Sequence, residues 1–489
     1  MSDQSATAPG VEMPGQRPSL QRVLGLWSAV SIVVGTVIGS GIFLVPTTMI
    51  NTVGSVKTVF AVWIVAGLLS LFGALTYAEL AAALPEAGGE YAFLREAYGP
   101  FWGFLYAWTQ LWVAKSGSIA TLTAGFYTYL TVLLPSLGAP VVVLPFHIGP
   151  GGSLLEIRYG QLVGIGLIVV LATINYIGVR ASGGLQVFVT GLKMALIGGV
   201  IVLGLFSGNG DLAHLTQSIP SVVGHVFSAG TTWGRFVGGG SAFLAAMVSA
   251  LWAYDGWNNV SMVSSEIKEP QRNLPKALIF GTAAVILTYL LINVAYFYVL
   301  SPARVGSSER LAAEMMTILY GPVAGRMVTI AVLISILAAL NGSILTGARV
   351  PYAMARDGFF FKSIAKVHPR FHTPGNSIIA LCFWSSLVLL SGWFDQLYRF
   401  VIFGSWILYL LATASVFVLR KKRPDLARPY RVIGYPWIPL SFVLVAILLL
   451  ANTLQQYPRE SLMGLFLMVL GVPFYLHWRR GAAERVRRG

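Results

Sequence analysis

The sequence predicts an all-α integral membrane protein of about twelve transmembrane helices, with the first and the sixth unwound near their middles. Three observations carry this prediction. Apolar runs of ~20 residues, long enough to cross a hydrocarbon core, recur along the whole chain. Of its 489 residues 56% are hydrophobic and only 10% charged, against ~25% charged in an ordinary soluble domain. Two of the apolar runs are interrupted by small or polar residues, around Gly39-Ser40-Gly41 and around Asp255-Gly256. A break at that depth frees backbone N–H and C=O groups that no bulk water can satisfy, so protein or ligand must occupy them. A matched pair of breaks in two halves of a chain is the best sequence pointer to a substrate site.

The spans fall near 26–50, 58–83, 101–136, 160–179, 184–206, 240–263, 277–300, 327–348, 374–391, 400–419, 436–453 and 461–478. In the first, glycine adopts non-helical backbone at little cost. The N–H groups of the following half-helix, from Ser40 to Ile42, then favour a carboxylate. The carbonyls of Val37 and Ile38 would face an ammonium group. Gly35-x-x-x-Gly39 also fits a helix-packing motif; the second break makes that the weaker reading. No turn signal interrupts 101–136, which reads as one long tilted helix containing Lys115, a residue that could snorkel. In the fifth span, Lys193 needs backbone carbonyls or hydroxyls around its ammonium. Held beside the broken first helix it could do the structural work of a sodium ion; a proton carrier and a snorkelling lysine are the alternatives.

In the sixth span, Trp252 to Asp255 offer free carbonyls and Gly256 leaves room for a ligand. A mid-membrane carboxylate costs ~2.5–3.5 kcal/mol on insertion scales. Asp255 therefore either meets a cationic group, carries a proton, or accepts hydrogen bonds that stabilise the break. Tyr254 and Trp257 read as pocket walls or a gate, or as packing. The charged turn from Glu266 to Pro275 is a hinge, an inner gate or an ordinary capped loop. In the eighth span, Asn341, Ser343 and Thr346 suit close packing against the first helix, contact with Lys193, or polar glue.

The net charge of +15 would suggest a nucleic-acid partner in a soluble protein, but its distribution does not. With the N-terminus inside, 23 of the 33 Lys and Arg lie in cytoplasmic segments and eight in outer ones. That positive-inside bias puts both termini in the cytoplasm and makes the tail 479–489 an orienting, lipid-headgroup feature. Residues 1–20 are polar, without a signal-peptide core, and are expected to be disordered. The single cysteine, Cys382, permits no internal disulfide. Asn259 and Asn341 begin Asn-x-Ser matches but lie within spans. No zinc, nucleotide or nucleophile motif occurs, so enzymatic chemistry, metals and cofactors are not expected. The longer outer loops are 137–159, 207–239 and 301–326, the last with an amphipathic helix at Glu309–Tyr320. About five spans' worth of chain lies between the breaks, and the two broken helices cross in opposite directions. This suggests inverted repeats at 21–206 and 207–435, with 436–478 appended.

The chain resembles the amino acid–polyamine–organocation superfamily and, within it, the L-amino acid transporter branch in a prokaryotic form. The matching segments are 34–43, 175–180, 190–193, 253–258, 266–275, 341–358 and 423–431. The resemblance implies a LeuT-type five-plus-five inverted repeat, alternating access and no metal. It implies a substrate carboxylate on the N–H groups around Ser40 and Gly41, an amine near Val37, Ile38 and Trp252, and Lys193 in place of sodium. Members are typically sodium-independent exchangers, and proton-coupled relatives exist. Animal members bridge to a heavy chain through a cysteine after the third helix. The loop 137–159 has none, so no disulfide-linked partner is expected and the protein should be a monomer or weak oligomer. An acid at Asp255 is found in the branch that takes dibasic amino acids and cystine. The resulting expectation is a transporter of cationic or neutral L-amino acids in a bacterial inner membrane, with proton symport and a non-transporting amino acid sensor as alternatives.

Overall fold

Lipid offers no hydrogen bonds, so an apolar chain in it closes its own backbone bonds as helix. The structure, a computed structural model, describes residues 19–145, 154–220, 240–392, 394–456 and 458–488; for 240–241, 394–402, 456, 460 and 481–488 it describes the backbone alone. The expectation of disorder at 1–20 thus lies almost wholly outside the described residues. Helix lies over each of the twelve expected segments. By length and apolarity, eight helices among the described residues could cross a membrane, or nine if the bent pair Leu26–Val37 and Gly41–Val53 is one span.

The other segments are shortened for visible reasons. The helix Gly240–Ala253 stops at the second break, and Gly375–Leu390 has only 16 residues. The expected long helix at 101–136 runs without a turn from Pro100–Thr109 through a π-helical stretch, Gln110–Ala114, into Lys115–Leu133. Within 137–159, expected as an outer loop, lies an unforeseen antiparallel strand pair, Pro140–Leu144 against Leu155–Arg158. A second segment expected to be outer forms the short helix Leu311–Tyr320, inside the amphipathic stretch expected there. The basic run at the C-terminal end continues the helix Gly471–Arg488.

Large apolar side chains cover the outside, among them Phe188, Phe280, Leu287 and Met327, each more than half exposed. That is the inverse of a soluble surface and fits lipid as the solvent. The interior is where polar residues collect. Asn175 donates to Asn341 at 3.0 Å, Asn341 to Gln186 at 2.7 Å, and Ser182 to Asn175 at 2.6 Å. This network ties three helices together where an unpaired amide would be costly. At one end of the bundle, Glu266 and Arg349, both fully buried, pair through two bonds of 2.6 and 2.9 Å. The chain ahead of the first helix is strapped to the same turn, Val23 and Leu24 N–H donating to the Glu266 carbonyl at 3.0 Å.

Candidate functional site

The first helix ends at Val37 and restarts at Gly41, bent by 41°. The sixth ends at Ala253 and restarts at Asn259 after a run of turns. The two breaks touch. A Cβ on Gly41 would stand 3.1 Å from the Cα of Ala253, so any side chain there would press the two breaks apart by a few tenths of an ångström. Gly256 has φ +107°, which side-chain-bearing residues rarely adopt. Thr36 Oγ1 lies 3.0 Å from the Gly256 carbonyl. The Tyr289 hydroxyl donates to the Ala253 carbonyl at 2.7 Å and lies 3.2 Å from that of Val37.

A cavity of about 100 Å³ opens between the breaks. From the first helix Val37, Ser40 and Gly41 line it; from the sixth, Trp252, Asp255 and Gly256; from the eighth, Ser343. First-turn N–H groups of a helix have no intrahelical acceptor, and Ser40 and Gly41, where the helix restarts, line the cavity. The Asp255 side chain is exposed to the cavity and accepts a hydrogen bond from the Tyr409 hydroxyl at 2.9 Å.

Four expected site residues stand behind the lining. Ile42 is fully buried in the apolar core. Tyr254 donates to the Trp63 carbonyl at 3.2 Å and packs edge-on against Trp63, so it is wall support. Trp257 packs edge-on against Tyr77, with ring centroids 4.8 Å apart. The Ile38 carbonyl is turned from the cavity toward Lys193.

Lys193 is fully buried, its ammonium donating to the carbonyls of Gly35 at 2.9 Å and of Ile38, with the Ser335 carbonyl at 3.5 Å. The Ser335 hydroxyl donates to the same carbonyls that the break frees, Ile38 at 3.1 Å or Gly39 at 3.2 Å. An ammonium thus sits where an ion with an oxygen cage would fit. Sequence reasoning coupled Ser343 to this lysine; the structure brings Ser335 there, two turns earlier, and turns Ser343 to the cavity. The helix stretch around Ser343 still packs closely, since a Cβ on Gly342 would meet Thr36 at 2.4 Å.

Tyr289, Ser335 and Tyr409 were missed from sequence. Each is one tyrosine or serine in an apolar helix, a pattern that serves packing as readily as a site.

The sequence model of a family described as amino acid permease matches residues 24–472. The chain is 30% identical over 475 residues to b(0,+)-type amino acid transporter 1 of Mus musculus, covering 96% of this chain and 91% of that protein. It is 30% identical over 468 residues to the serine/threonine exchanger SteT of Bacillus subtilis (strain 168), covering 95% and 98%. The human cystine/glutamate transporter is 30% identical over 490 residues, covering 98% and 91%.

Proposed function

From its membership of the amino acid permease family, to which this chain belongs, we propose that it is a sodium-independent exchanger of cationic or neutral L-amino acids working by alternating access. The observation that carries this reading is the cavity between two touching helix breaks, lined by Ser40 and Gly41 from one and by Asp255 from the other. The substrate carboxylate binds the N–H groups of Ser40 and Gly41, and its ammonium meets the Val37 carbonyl and the end of the helix at Trp252. About 100 Å³, against the ~10–15 Å³ that one water needs, gives room for the few heavy atoms of a small amino acid. Asp255 reads the side chain.

Lys193 replaces a coupling cation: it is covalently part of the chain, so no ion need bind for the break to be neutralised. Ligand bound to both half-helices favours closure around it, and an empty carrier that reorients slowly makes transport an exchange. The remaining architecture belongs to the same proposal: twelve spans in a five-plus-five inverted repeat with two helices appended, and both termini in the cytoplasm of a bacterial inner membrane. The protein then acts as a monomer or weak oligomer in contact with lipid, without a disulfide-linked chain, its one cysteine being buried in a helix.

The test is uptake of labelled arginine and leucine into proteoliposomes with and without unlabelled amino acid inside. Exchange requires internal amino acid. Uptake into empty vesicles that collapses with a pH gradient makes the protein a proton symporter instead. In the same assay Asp255→Gly is expected to lower arginine relative to leucine by ~10-fold, the equivalent of about 1.4 kcal/mol; an unchanged ranking removes Asp255 from charge recognition.

A further inference from the structure

The cavity contains a cation that the exchange reading leaves without a role. Lys115 begins a helix directly after the π-helical stretch Gln110–Ala114, a local widening often found at functional positions. Lys115 lines the cavity, yet it is only 7% exposed. The ammonium donates to the Asn259 Oδ1, at the start of the second half of the broken sixth helix. Two acids stand near it: Asp255 lines the same cavity, and Glu90 is bonded to Asn258, the neighbour of the Asn259 that holds the ammonium.

Their settings differ. Asp255 stands open in the cavity. Glu90 is fully buried behind the same half-helix, at the start of the helix Glu90–Tyr98. It accepts hydrogen bonds from the Asn258 amide and, at 3.2 Å, from the Ser261 hydroxyl. Neighbouring asparagines therefore fix the geometry, Asn259 holding the cation and Asn258 holding the second acid.

We propose that Lys115 is a specificity-determining residue, the built-in counter-cation to Asp255 and Glu90, and that it holds the exchanger toward amino acids with uncharged side chains. The inference rests on the exchange reading. Its reasoning is a charge count at low dielectric, where unlike and like charges act strongly. Counted as one ammonium and two carboxylates, the cluster carries net charge −1, and a cationic side chain approaching Asp255 meets the Lys115 ammonium as well. Without the lysine charge the cluster is −2 and nothing opposes a guanidinium. Without the Glu90 charge the cluster is neutral and the ammonium answers to Asp255 alone. Two substitutions should thus move selectivity in opposite directions, which loss of packing would not do.

The experiment is exchange of labelled arginine and leucine in proteoliposomes preloaded with a mixture of both, for wild type, Lys115→Gln and Glu90→Gln. Lys115→Gln is expected to raise the arginine-to-leucine ratio about 10-fold, and Glu90→Gln to lower it roughly 3-fold. A ratio unchanged or lowered in Lys115→Gln overturns the proposal. If that variant does not yield monodisperse protein, Glu90→Gln decides alone, and an unchanged or raised ratio overturns it. A wild type that moves neither amino acid ends the exchange reading and this inference together. Flux with a fixed ratio ends only the inference.

Discussion

Lys193 shows how one side chain replaces a bound ion. Its ammonium bonds the carbonyls of Gly35 and Ile38 on the first helix and faces that of Ser335 on the eighth. Leaving buried polar groups of this kind without a partner costs about 1–3 kcal/mol each. Lys193→Ala is therefore expected to loosen the contact of the first and eighth helices, and to slow exchange by roughly 10- to 100-fold, about 1.4 kcal/mol of barrier for each factor of ten. Equilibrium binding should change by less than about 3-fold, because Ser40 and Gly41 line the cavity and Lys193 does not. Parallel measurement of counterflow and of ligand-induced thermal stabilisation checks this; a variant with wild-type counterflow contradicts it. The lysine was legible in the sequence because a charge within an apolar run is rare. Its partner was not. Ser335 and Ser343 stand eight residues apart on one helix, and only the packing angle of that helix decides which meets the ammonium.

At the scale of elements, the breaks and helices were readable from hydropathy and glycine placement, while the clamps between helices were not. Glu266 and Arg349 are 83 positions apart, Glu266 in a run of charges and Arg349 alone in an apolar stretch, and nothing local pairs them. In the structure they form a forked, fully buried pair joining the turn after the sixth helix to the end of the eighth. Leaving one member of such a pair without its partner costs about 3–5 kcal/mol. Arg349→Ala should accordingly lower the melting temperature of the detergent-purified protein sharply. Arg349→Lys should fall in between, because an ammonium cannot reproduce the two parallel bonds of a guanidinium. Equal melting temperatures for wild type and Arg349→Ala would show that the pair is not a clamp. The π-helical stretch is a further element hydropathy could not reveal, since it changes helix winding without changing apolarity, and it is what precedes Lys115.

Orientation belongs to the whole molecule, because no single helix determines it. The basic residues divide 23 to eight between the two sets of loops, and a basic residue near an anionic leaflet contributes about 1 kcal/mol. An excess of that size favours one orientation far more than any local feature could reverse. Two exposed positions expected on opposite sides make this measurable: Leu212, 71% exposed in a loop that should face outward, and Lys421, exposed in the basic run after the tenth helical segment. Cys382 is 6% exposed, so the native thiol should stay silent toward a membrane-impermeant maleimide and leave a clean background. Leu212→Cys should be labelled on intact cells. Lys421→Cys should be labelled only after the membrane is permeabilised. The reverse pattern would invert the molecule, exchange the inner and outer gates, and turn the Glu266–Arg349 clamp from the cytoplasmic side to the outer one.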